Sequence, residues 1–78
     1  MAWQEQDGAL VSDYEFPDFA AAMSFVNEVA RWAEARGHHP DILIHDWNKV
    51  RLTLSTHAAG GVTDLDRELA SDIDGLSA

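Results

Sequence analysis

The sequence predicts an α+β fold: a four-stranded antiparallel sheet with helices packed on one face, in the order β-β-α-β-β-α. Three observations predict it. Residues 3–16 and 41–56 alternate apolar and polar side chains around short turn signals. Between them, residues 17–37 carry apolar side chains at three- and four-residue steps, bounded by helix start and stop signals. A second helical pattern closes the chain after a Gly-Gly loop. Strand pairs interleaved with one-faced helices bury those faces by forming two layers.

"WQEQDGALVSDYEF" reads as a hairpin turning at Asp7-Gly8, a pair suited to the right-handed twist of the flanking strands. Leu10, Tyr14 and Phe16 fall on one face of its second strand. In "PDFAAAMSFVNEVARWAEARG", Pro17 and Asp18 suit a helix start and Gly37 the residue beyond its end. Phe19, Met23, Val26, Ala30 and Ala33 form one apolar stripe; Phe25, Val29 and Trp32 form a second. One face is expected to meet the sheet and the other a partner subunit. "DILIHDWNKVRLTLST" reads as two strands turning near Asp46 to Asn48, with Val50, Leu52 and Leu54 on the buried face. "TDLDRELASDID" is the closing helix, where Thr63 and Asp66 approximate a capping box.

At 78 residues the chain is one domain, residues 1–78, of a size that buries only about 60% of its unfolded surface. It has no cysteine, so neither a disulfide nor a thiolate metal site reinforces it, and self-association is a natural remedy. The formal charge of −9, from 14 acids against five bases, argues against nucleic acid as a partner. The first ten residues lack the pattern of a secretory signal, and no apolar run approaches the roughly 18 residues of a membrane span. A cytoplasmic protein without membrane attachment is the expectation.

The chemistry concentrates in "ARGHHPD". Gly37 can end the helix in a left-handed conformation, and Pro40 holds His39 extended. Neighbouring extended residues point opposite ways, so His38 and His39 can serve different walls of a site. The helix C-terminus favours imidazolium, and histidine titrates near neutrality, where proton transfer needs it. His57, returned by the hairpin, is expected near the same helix end, beside glycines that permit close ligand approach. Three histidines can bind zinc, but adjacent ligands on one extended stretch chelate poorly, so no metal is expected. His45 reads as a surface residue and Asp66 as a helix cap, with proximity to a histidine a second role for the same carboxylate.

"GHHPDI", the aromatic in "WNKV", and "LTLSTHAAGGVTDLDRELA" together resemble the pterin-4a-carbinolamine (4a-hydroxytetrahydrobiopterin) dehydratases, from about Trp3 to Ile73. The resemblance implies dehydration of a 4a-hydroxytetrahydropterin to quinonoid dihydropterin in tetrahydrobiopterin recycling, without metal or organic cofactor. It implies homodimers or homotetramers, with an aromatic amino acid hydroxylase as metabolic partner. The family's catalytic histidines fall on His38, His39 and His57, and its motif proline and aspartate on Pro40 and Asp66. His38 and His57 are assigned proton exchange with the 4a-hydroxyl, His39 binding and orientation of the pterin or the N5 proton, and Pro40 and Asp66 substrate binding or orientation. Relatives that act as dimerization or assembly cofactors supply the alternative, a non-catalytic role on the same scaffold. Two departures stand out: the family's usual N-terminal helix before Trp3 is missing, and "PDILIHDWN" is one residue longer than in animal forms.

Overall fold

The computed structural model describes residues 3–77, the side chains of His57 and Ser77 excepted. Six principal elements follow one another: β1 (Gln4–Gln6), β2 (Ala9–Glu15), α1 (Phe19–Arg36), β3 (Asp41–His45), β4 (Lys49–Leu54) and α2 (Asp64–Ser77). A single 3₁₀ turn, His57–Ala59, separates β4 from α2. The predicted α+β order is therefore the observed one.

Local chemistry sets the boundaries. Asp7 and Gly8 both take positive φ, 52° and 78°, as a tight hairpin turn demands. The Asp18 carboxylate accepts the Ala21 N–H at 2.8 Å and caps α1. At the other end Gly37 adopts φ 63°, and the His38 N–H reaches back to the Ala33 carbonyl at 3.1 Å. That bond, with the one from Gly37 N–H to Glu34 O, closes the helix in the two-bond motif typical of a left-handed cap. The chain leaves α1 sharply, with His38 as the first residue out.

All strands pair antiparallel in the order β1-β2-β4-β3. The strand after α1 thus returns to the sheet's edge, and β4 inserts between it and β2. Register matters for the site. Asp41 lies opposite Thr53; His38, three residues before Asp41, and Thr56, three after Thr53, both bond the Asp66 carboxylate. The hairpin returns the end of β4 to the end of α1, as the sequence predicts.

Val50, Leu52 and Leu54 are fully buried, on the β4 face that the alternation assigned. They pack with Ala22, Phe25 and Val29 of α1 and with Leu69, Ala70 and Ile73 of α2. Phe25 meets Tyr14 and Phe16 at ring separations of 4.6 and 5.1 Å, within the range of favourable aromatic contacts. The α1 stripes divide differently from the sequence pattern. Ala22, Phe25, Val29 and Ala33 are buried, whereas Phe19 and Trp32 face solvent. The buried line falls between the two predicted stripes, where α1 packs with both β4 and α2. Across the helix ends, Arg36 bonds both Glu68 and Asp72 of α2. Among the described residues no helix is long and apolar enough to cross a membrane.

Candidate active site

The two neighbouring histidines turn to different carboxylates. His38, only 13% exposed at its side chain, reaches across to α2, where its Nε2 lies 2.5 Å from Oδ1 of Asp66. His39 folds back over the last turn of α1, its Nε2 2.5 Å from Oε2 of Glu34, with both side chains largely in solvent. This divergence follows from the Gly37 turn and the extended backbone that Pro40 imposes.

Asp66 is the only fully buried acid among the described residues. A carboxylate without water must be satisfied by donors, and Asp66 is. Its Oδ2 accepts the Thr63 N–H at 2.9 Å and the Thr56 hydroxyl at 2.8 Å, while Oδ1 faces His38. The Thr63 hydroxyl lies 2.8 Å from Thr56 Oγ1. Since the single Thr56 hydroxyl hydrogen goes to Asp66, Thr63 donates to Thr56, and the hydrogens run in one direction, Thr63 to Thr56 to Asp66. The predicted capping box is thus half formed: Asp66 bonds the Thr63 N–H as expected, but the Thr63 hydroxyl turns to Thr56.

The electrostatics follow. Burial pushes the Asp66 carboxyl up, but hydrogen bonds from His38, the Thr63 N–H and the Thr56 hydroxyl outweigh it, with a smaller contribution from the imidazole's charge. The net shift is downward from 3.8. Asp66 is therefore ionised near neutral pH and can only accept. His38 Nε2 must carry a hydrogen, which leaves Nδ1 as the ring atom not engaged with Asp66. A buried carboxylate that fixes an imidazole's tautomer is the arrangement general acid–base catalysis uses.

His57 opens the 3₁₀ turn directly after Thr56, so its backbone lies one residue from the Asp66 network; its side chain lies outside the described residues. Pro40 is half-buried between His39 and β3. His45 stays at the surface, its Nδ1 3.2 Å from Asp46. The structure thus brings His38, Asp66 and the His57 backbone together and directs the His39 ring elsewhere. Sequence reasoning missed Thr56, Thr63 as a hydroxyl donor, and Glu34. It also missed Asn48, 8% exposed, whose Nδ2 donates to the Phe16 carbonyl and ties the β3–β4 turn to β2. A cleft of about 640 Å³ bordered by Tyr14, Phe16, Phe25 and Leu76 shares no residue with the His38–Asp66 network.

The fold and this network define a small α+β protein with a carboxylate-anchored histidine at a helix end. Comparison narrows the class. Residues 1–76 match the family described as pterin 4 alpha carbinolamine dehydratase, and the chain belongs to that family. It is 53% identical over 75 residues to a protein of Acidobacterium capsulatum named "Putative pterin-4-alpha-carbinolamine dehydratase", covering 96% of this chain and 80% of that one. A similarly named protein of Gloeobacter violaceus is 56% identical over 73 residues, covering 88% and 78%. The crystal structure of a transcriptional coactivator/pterin dehydratase from Brucella melitensis superposes with a TM-score of 0.91 at 34% identity, covering 99% of this chain and 83% of that one. A pterin dehydratase-like protein identified as a RuBisCO assembly factor in the alpha-carboxysome superposes with a TM-score of 0.83 at 25% identity, covering 100% and 92%.

Proposed function

We propose that the protein is a hydro-lyase that removes water from a 4a-hydroxytetrahydropterin and releases the quinonoid dihydropterin. The observation that carries this reading is the buried Asp66 carboxylate holding His38 Nε2–H at the strand end that leads into His57. Hydroxide leaves carbon poorly, so an imidazolium donates a proton to the 4a-hydroxyl as the C4a–O bond breaks. The N5 proton passes to a neutral imidazole as the C4a=N5 bond forms. Water is the other product, and electrons balance without a redox partner.

His38 and His57 exchange protons at the 4a-hydroxyl, while His39 and Pro40 bind and orient the pterin. Each acid or base contributes about 10²–10⁴-fold. The substrate class supposes a cytoplasmic aromatic amino acid hydroxylase upstream and a dihydropterin reductase downstream. Phe19 and Trp32, 52% and 39% exposed on α1, support a homodimer or homotetramer that covers them.

The test generates the carbinolamine with a hydroxylase and follows quinonoid dihydropterin formation. Acceleration by the protein, lost in His38→Ala, supports the reading; no acceleration and no pterin binding overturn it. The same exposed apolar residues, with the likeness to a RuBisCO assembly factor, favour a second reading as a non-catalytic assembly cofactor. An inactive protein that binds no pterin and forms a stable complex with a second protein would select it.

A further inference from the structure

The Asp66 carboxylate needs more than His38 to hold its plane. A carboxylate on a short side chain can rotate about its terminal bond, and rotation would move Oδ1 away from His38 Nε2. Two donors on Oδ2 oppose that rotation. One is the Thr63 backbone N–H, immediately before α2; the other is the Thr56 hydroxyl, two residues beyond β4. The hydroxyl is itself oriented by the Thr63 hydroxyl, so strand end and helix start grip the same oxygen.

We propose that Thr56, backed by Thr63, is a positioning residue of the dehydratase site. It acts through Asp66 to keep His38 in the Nε2–H tautomer, with Nδ1 as the atom that exchanges a proton. The proposal rests on the functional reading above and adds to it the residues that set which ring nitrogen is reactive. Thr56 touches no substrate; its contribution is the fixed acceptor behind the imidazole. A residue filling space alone at this position could be valine, whose shape matches threonine and whose methyl group donates nothing.

The experiment pairs kinetics with ¹⁵N NMR of the His38 ring. In the unaltered protein the Nε2–H tautomer of His38 should dominate. Thr56→Val should lower kcat by about tenfold to a hundredfold with KM nearly unchanged, since a hydrogen bond to a charged group is lost. The same variant should raise the Nδ1–H form of His38 to a comparable population. Thr56→Ser restores the hydroxyl and should recover both readouts, and Thr63→Val should show smaller changes in the same direction. Unchanged kcat and tautomer in Thr56→Val would overturn the proposal. Should Thr56→Val fail to fold, Thr63→Val decides it: an unmoved His38 tautomer there overturns the proposal equally. The NMR readout needs no substrate. A protein without dehydratase activity in which Thr56→Val still shifts the tautomer would keep the positioning role and remove the enzymatic reading.

Discussion

His38 and His39 are adjacent in sequence, and each places Nε2 2.5 Å from a carboxylate oxygen. Their surroundings differ. Asp66 is fully buried and His38 nearly so, whereas the side chains of Glu34 and His39 are 76% and 62% exposed. In water two long side chains held together gain little, because solvent screens the pair and ordering costs entropy. In a water-free site the same contact is strong and costly to leave unmade. Equal distances therefore describe unequal interactions, and surroundings separate a proton-transfer device from a surface contact.

The comparison breaks most sharply at Asp66. Asp66→Asn keeps the shape but removes the charge that fixes the His38 tautomer, and dehydratase turnover should fall by about 10²–10⁴-fold. Turnover within a fewfold of the unaltered protein would mean that His38 works without its carboxylate. On stability, Asp66→Ala leaves the Thr63 N–H and Thr56 hydroxyl without their acceptor and should cost about 2–4 kcal/mol in urea unfolding. The matching change at the exposed pair, Glu34→Gln, should alter stability by less than about 0.5 kcal/mol.

Acid sharpens the contrast further. The folded Asp66 pKa lies below its unfolded value, so its stabilisation is complete above the unfolded pKa of 3.8 and is lost as pH falls through the lower folded value. Asp13 is also lowered, chiefly by its hydrogen bond from Arg51, but that pair is exposed on the sheet's outer face. Acid-unfolding curves of Asp66→Asn and Asp13→Asn, each in low and 1 M salt, separate the two. High salt should erase the small Asp13 contribution and leave most of the Asp66 contribution, because a Debye length of about 3 Å screens exposed charges far better than buried ones.

Most of the fold was legible because its signals are local. Asp7-Gly8 names a hairpin turn, Asp18 a helix start, Gly37 a left-handed stop, and Val50, Leu52 and Leu54 a half-buried strand. The site was legible in part, because "GHHPD" and the spacing to His57 and Asp66 carry it. What escaped depends on distant partners. Thr56 is an ordinary residue just beyond a strand until the loop brings Asp66 of α2 onto its hydroxyl. Within the acidic closing helix, Asp66 is fully buried and Asp72 pairs with Arg36 of α1. Asp66 shares the three- and four-residue spacing of the buried Leu69, Ala70 and Ile73, which exposed Asp64 does not; what the period cannot supply is the donors that make burying a carboxylate tolerable. The division of α1 into a buried line and an exposed remainder likewise depends on where α2 lands.

The most direct test of the account is the steady-state comparison of His38→Ala with His39→Ala on a 4a-hydroxytetrahydropterin. The account predicts that His38→Ala loses kcat by about 10²–10⁴-fold, while His39→Ala acts mainly by raising KM. Equal loss of kcat in both variants, or in neither, would contradict it, because burial beside Asp66 would then make no difference between neighbouring histidines.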